Sequence, residues 1–301
     1  MRLQVLPLNP LDRIPLMNSA TSPVPQASPS PYDNRARVPE APALLSRWAE
    51  ASVLARAQST CELDVPYGDG PNERLDVFPA ASPDAPVLVF FHGGYWRTLD
   101  KSDVSFVAPG FVARDVTVVV PNYALCPAVT IETICRQAAA ATAWALRRRV
   151  GGTAPSRVVV AGHSAGGHLA AMLMACRWKM LGDDLPPSPL AGGLGLSGLY
   201  DLEPLRHEPF LQVDLQLTEA QVRRCSPAFF PRSRSRFYAV VGLDESEAFI
   251  RQSRLLRDNW GPTSVPVCET VPGMNHFTIL HSLADPAGRV HDLALRLLGR
   301  A

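Results

Sequence analysis

The chain has 301 residues, with 29 lysines and arginines against 28 acidic residues and a net charge of +1, a balance that gives it no general attraction to nucleic acid or to an anionic membrane. Hydrophobic residues make up 47% and mean hydropathy is +0.02, which fits a soluble protein with a large core. No apolar run approaches the roughly 18 residues that a membrane helix requires.

The first stretch of the chain is rich in Pro, Ser, Asn and Ala and ends in Ser-Pro repeats at 22–31. It has no hydrophobic period, so residues 1–40 are expected as a mobile N-terminal segment, with Met17 as an alternative start. Pro7, Pro10 and Pro15 interrupt its apolar residues, so no secretory signal is read and a cytoplasmic location is the default. Residues 41–301 are expected as one α/β domain, opening with an amphipathic helix at 43–56 ahead of the fold proper.

From residue 62 the pattern predicts strands near 62–66, 74–78, 86–91, 116–120, 157–161, 191–197, 236–241 and 266–271. Helices are predicted near 103–113, 129–149, 165–178, 246–259 and 286–299. Two early strands with no helix between them imply a hairpin, and the later alternation implies a mainly parallel sheet of about eight strands covered on both faces. Segments 180–189 and 201–230, rich in Pro and Leu, break the alternation; the second is expected as a small cap insertion. The Arg147-Arg148-Arg149 run reads as the end of a helix before Gly151-Gly152. Cys61, Cys126, Cys135, Cys176, Cys225 and Cys268 are scattered without a C-x-x-C pair, and Cys176 and Cys268 are expected as buried thiols.

Two motifs carry chemistry. Gly162-His163-Ser164-Ala165-Gly166 lies between a predicted strand and a predicted helix, the setting of a nucleophile elbow in which glycines make room for a tight turn and the serine hydroxyl is thrust outward. After the strand at 86–91 comes His92-Gly93-Gly94-Tyr95-Trp96, similar to the oxyanion loop of lipases and esterases of the α/β-hydrolase fold. Amides of Gly93 or Gly94, with that of Ala165, are the expected oxyanion donors. The serine needs a base and the base an orienting carboxylate, in the order Ser, acid, His, each at a strand end. Of seven histidines, His276 alone follows the last strand in a loop. His92 belongs to the oxyanion loop, His163 and His168 are too near Ser164 in sequence, His207 precedes the acid, and His281 and His291 fall on a helical stretch. The strand at 236–241 ends in Gly242-Leu243-Asp244-Glu245; the acid usually follows such a glycine by three residues, which favours Glu245 and leaves Asp244 as the alternative.

With these residues in place, the chain resembles the arylformamidases (kynurenine formamidases). The resemblance rests on residues 92–96, Gly162 to Leu169, Ser197-Gly198-Leu199-Tyr200-Asp201-Leu202-Glu203-Pro204, Phe249 with Arg251 to Ser253, and Pro272 to Phe277. It implies a serine hydrolase that cleaves an aryl formamide such as N-formylkynurenine to formate and the free amine. A carboxylesterase for small acyl esters is the alternative, since the site chemistry is the same. Tyr95, Trp96, Tyr200 and Phe277 flank the motifs and are candidate substrate-binding aromatics. No cofactor and no metal is implied, since no H-x-x-x-H or paired-cysteine spacing occurs. The expected partner is a small-molecule substrate; no nucleic-acid or membrane partner is expected, and a homodimer stays open.

Overall fold

A computed structural model describes residues 29–301. The mobile stretch expected at the N-terminus therefore lies outside the described residues up to position 28. Within residues 29–40, Tyr32 and Asn34 are buried, at 2% and 6% exposed, while most of the others are exposed.

Eight strands form one sheet: β1 (Glu62–Pro66), β2 (Arg74–Phe78), β3 (Val87–Phe91), β4 (Thr117–Pro121), β5 (Val158–His163), β6 (Gly192–Leu196), β7 (Arg236–Gly242) and β8 (Val267–Val271). Their order is β1-β2-β4-β3-β5-β6-β7-β8. β1 and β2 form the expected hairpin, β2 runs antiparallel to β4, and every pair from β4 to β8 is parallel. Apart from the exposed edge strand β1, the strands up to β7 are almost continuously buried, as strands covered on both faces should be. Alternate residues of one strand serve opposite cores: Val87, Val89 and Phe91 face one cluster, Leu88 and Phe90 the other.

Eleven helices are present among the described residues: α1 (Asn34–Arg37), α2 (Ala41–Gln58), α3 (Ala108–Val112), α4 (Ile131–Arg147), α5 (Ala165–Met174), α6 (Glu203–Arg206), α7 (Pro209–Leu215), α8 (Glu219–Cys225), α9 (Glu247–Trp260), α10 (Ile279–Ala284) and α11 (Arg289–Leu298). The first core is closed by α4, α5, α8 and α9, the second by α2, α3, α10 and α11. In α2 the buried residues Ala41, Leu44, Trp48, Ser52 and Ala55 fall at the three- and four-residue spacing of one helix face. The helix expected at 103–113 is instead two 3₁₀ turns (Lys101–Asp103, Ser105–Val107) and the five-residue α3. Pro109 is the reason, since a residue without an N–H is tolerated in a first helical turn and not in the middle. The segment expected as a cap holds α6, α7, α8 and a 3₁₀ turn at Pro227–Phe229. Cys176 and Cys268, expected to be buried, are only half-buried; Cys126 and Cys225 are the buried thiols.

One buried ion pair ties the loop after β3 to the hairpin. Asp76, wholly buried on β2, accepts from Lys101 Nζ at 2.7 Å and from the Asp64 amide at 2.9 Å. Lys101 also pairs with the exposed Asp64 at 2.9 Å, so it is loss of the lysine that strands a buried charge. Lys101→Ala should lower the unfolding free energy by about 3 kcal/mol in a denaturant titration. Arg147→Ala, which breaks the exposed pair with Asp184, should cost under about 1 kcal/mol; comparable losses would show that burial is not what matters.

Candidate active site

Ser164 follows β5 and stands at the N-cap position of α5, yet its hydroxyl makes no capping bond. Its backbone is forced to φ 55°, ψ −114°, a conformation that non-glycine residues avoid and that commonly marks a functional turn. Space explains the flanking glycines. A Cβ on Gly162 would lie 2.2 Å from the Gly166 carbonyl oxygen, and one on Gly166 would lie 2.0 Å from that of Phe91. The turn thus holds the hydroxyl at the end of the sheet, before the N-terminus of α5, where the helix dipole favours negative charge.

His276, 5% exposed, arrives on the loop after β8, and its Nδ1 donates to Glu245 Oε2 at 2.7 Å. Glu245 comes from the loop after β7 and its side chain is fully buried. Its other oxygen accepts from the Gly242 amide at 2.8 Å and from the Ser197 hydroxyl at 2.5 Å. Three hydrogen bonds compensate the burial of this carboxylate. Asp244 is exposed, with its amide bonded to the Met274 carbonyl, so the carboxylate that meets His276 is Glu245. With Nδ1 engaged, the free ring nitrogen of His276 is Nε2. Ser197, directly after β6, entered the sequence reading only as the first residue of the Ser197–Pro204 resemblance and was given no part in the site.

The His163 ring lies against that of His276, with centroids 4.7 Å apart. Burial, and then the neighbouring His276, push His163 well below its ordinary pKa. The neutral ring donates from Nε2 to the His276 carbonyl at 2.7 Å, which secures the backbone of the loop.

Gly93 packs directly on the turn: a Cβ there would sit 3.0 Å from the His163 carbonyl oxygen and 3.2 Å from Ser164 Cβ. Tyr123 stacks on His92 at 4.2 Å, and its hydroxyl donates to the carbonyls of His92 (2.9 Å) and Gly93 (3.2 Å). Holding the Gly93 carbonyl on that side turns the Gly94 N–H the opposite way, because the peptide is planar and trans. Among the described residues no protein acceptor takes the amides of Gly93 or Gly94.

Ser164, His163, His276 and Gly94 open into one cavity of about 500 Å³. Of the four aromatics expected there, Tyr95 and Phe277 line it and Trp96 and Tyr200 do not. Both of the latter are 0% exposed. Trp96 packs edge-on against His168, with centroids 4.9 Å apart, and the Tyr200 hydroxyl occupies the space that side chains at Gly195 and Gly198 would need. They are core residues. The remaining wall escaped the sequence reading: Asp33, Asn34 and Arg35 of the N-terminal segment, Trp48 of α2, Arg97, and Phe210 of α7. Such residues carry no motif, and only the folded chain brings them to the serine. Among the described residues, no group of three or more His, Cys, Asp or Glu side chains is arranged to hold a metal.

A buried serine turn at the end of a doubly covered parallel sheet, with a carboxylate and histidine from the next strand loops, defines a hydrolase class. Residues 88–276 match the family model of the alpha/beta hydrolase fold, and the chain belongs to that family. Within it the chain is arylformamidase-like. It is 29% identical to the kynurenine formamidase of Danio rerio over 92% of its own length and 95% of that protein's. To the kynurenine formamidase of Drosophila melanogaster it is 30% identical, over 72% and 75% respectively. Among solved structures, a Silicibacter sp. TM1040 protein provisionally named a thioesterase superposes with a TM-score of 0.74 at 28% identity, covering 86% of this chain and 95% of that one. Esterase B of Lactobacillus rhamnosis gives 0.66 at 16% identity, over 89% and 95%.

The second buried histidine of the α5 turn predicts acid sensitivity. Burial lowers His168 to a pKa of about 4, while its Nε2–H donates to the Cys225 carbonyl at 2.7 Å. Above pH 6.5 the ring is neutral in both states; as pH falls the unfolded chain takes up a proton first, so stability is lost between about 6.5 and 4. This residue should account for about 3 kcal/mol of that loss. His168→Gln keeps a donor and cannot titrate, so its urea midpoint should fall less than that of the unmodified protein between pH 7.5 and 4.5. Parallel curves would assign the sensitivity elsewhere.

Proposed function

We propose that the protein hydrolyses an aryl formamide, with N-formylkynurenine the leading candidate, through a formyl-enzyme on Ser164. What carries this reading is coverage: the similarity to kynurenine formamidases runs along 92% of the chain, whereas the isoprenylcysteine methylesterase of Arabidopsis thaliana matches only 45% of it. The aromatic wall formed by Trp48, Tyr95, Phe210 and Phe277 supports a ring-bearing substrate.

In this mechanism His276 Nε2 takes the Ser164 proton as the oxygen attacks the formyl carbon. The oxyanion of the tetrahedral intermediate is stabilised by the amides of Ala165 and of Gly93 or Gly94, whose orientation is set before substrate arrives. Glu245 holds the imidazole by Nδ1 and stabilises the imidazolium once it forms. That imidazolium gives its proton to the departing aniline nitrogen, a better leaving group than an alkylamine. The formyl ester on Ser164 is then hydrolysed by water, which His276 deprotonates, releasing formate.

Steady-state kinetics with N-formylkynurenine, p-nitrophenyl acetate and p-nitrophenyl butyrate should give the highest kcat/KM for the formamide. Efficient butyrate turnover with an inert formamide would instead establish a carboxylesterase. A fluorophosphonate probe should label the unmodified protein stoichiometrically and leave Ser164→Ala unlabelled. For the acid, Glu245→Gln should reduce kcat by up to about 10⁴ while preserving shape. Asp244→Asn, at an exposed side chain, should change kcat less than about threefold; the reverse ranking would move the acid to Asp244.

A further inference from the structure

Two serines at neighbouring strand ends stand at positive φ: Ser164 after β5 at 55° and Ser197 after β6 at 51°. This region is unfavourable for a residue with a Cβ, and where a fold keeps one there the position is commonly functional. Ser197 is 0% exposed and does not line the cavity, so it does not meet substrate. Its amide donates to the Val240 carbonyl at 2.7 Å, which carries the β6–β7 pairing one residue further. Its hydroxyl donates to Glu245 Oε1 at 2.5 Å. The same oxygen accepts from the Gly242 amide at 2.8 Å, while Oε2 accepts from His276 Nδ1 at 2.7 Å.

A glutamate carries its carboxylate on three rotatable bonds, and the group serves His276 only with one oxygen turned to Nδ1. Gly242 supplies one donor from the loop of Glu245 itself; Ser197 supplies the other from the next strand. We infer that Ser197 is a positioning residue for the reaction. Its hydroxyl fixes the rotation of the Glu245 carboxylate and draws off part of its charge, which sets how firmly His276 holds its proton. The inference rests on the reading of Glu245 as the acid that orients His276. The other titratable or charged groups near that ring are His163, stacked on it and kept neutral by burial, and Asp33, Arg35 and Arg97 in the cavity wall. None of them shares a hydrogen bond with the Ser197 side chain, so a change confined to that hydroxyl reaches His276 through Glu245.

Steady-state kinetics of the full-length protein as a function of pH test this, with N-formylkynurenine or, should the formamide be inert, p-nitrophenyl acetate. Ser197→Ala removes the hydroxyl and keeps the backbone strain; Ser197→Gly removes the hydroxyl and suits a φ of 51°. Both should lower kcat by about tenfold or more, the scale of a hydrogen bond to a charged group, and leave KM within about twofold. Without the hydroxyl more charge stays on the carboxylate, and the imidazolium keeps its proton to higher pH. The acid limb of the kcat/KM profile should therefore move up by about half a pH unit or more. In a Glu245→Gln background, Ser197→Ala should cost less than about twofold more, because the hydroxyl acts through the carboxylate. An unmoved acid limb, or an undiminished loss in the Glu245→Gln background, overturns the positioning role. So do kcat losses that merely follow melting temperature, with the glycine variant active and the alanine variant not. A Glu245→Gln variant of unchanged kcat overturns the acid reading and this inference with it. A crippling Glu245→Gln beside a harmless Ser197→Ala overturns the inference alone.

Discussion

Where the loop after β3 meets the turn between β5 and α5, backbone lies on backbone with no room for side chains. A Cβ on Gly166 would meet the Phe91 carbonyl oxygen at 2.0 Å, and one on Gly93 would meet that of His163 at 3.0 Å. This approach sets the distance between Ser164 and the Gly93–Gly94 peptide, so the serine and the two glycine amides are placed by the same constraint. The turn also leaves Ser164 at φ 55°, strain of about 1–3 kcal/mol that persists only because the surroundings over-determine it. Strands β3, β5 and β6, buried on both faces and paired in register, supply that rigidity.

The histidine and carboxylate depend on the same sheet at one remove. Loops after β6, β7 and β8 contribute Ser197, Glu245 and His276, and these strands are consecutive neighbours. Ser197 reaches across to Glu245, and His163, next to Ser164 in sequence, reaches across to the His276 backbone. Two bonds therefore join the β5–β6 half of the site to the β7–β8 half. The low pKa of His163 has a structural consequence: kept neutral, it donates one proton to a carbonyl without placing a second positive charge beside His276.

The cavity wall draws on other parts of the chain than the strand ends. The serine, carboxylate, histidine and glycine loop all sit at strand ends, whereas the far wall of the cavity comes from Asp33, α1, α2 and α7. Esterase B of Lactobacillus rhamnosis, at 16% identity, shares the fold over 89% of this chain, and the kynurenine formamidase of Danio rerio matches 92% of it. A shared fold does not by itself fix the substrate.

The eight strands, the hairpin, both glycine motifs and the Ser164, Glu245 and His276 set were legible in the sequence, because each depends on local regularities. Buried parallel strands read as β-branched runs, a nucleophile turn demands glycines at fixed offsets, and chain order leaves one histidine after the last strand. The choice of Glu245 over Asp244 followed from its spacing to Gly242, but its partners Ser197 and Gly242 became visible only in three dimensions. Trp96 and Tyr200 show the opposite limit. Adjacency to a motif suggested the pocket, yet packing against His168 and against Gly195 and Gly198 put both in the core. Asn34 and Trp48 lie more than a hundred residues before Ser164 in a stretch without catalytic pattern. Local sequence determined the turn and loops at the strand ends. Which side chains line the rest of the cavity was decided by tertiary packing, because contacts between segments so distant in the chain leave no periodicity or spacing to read.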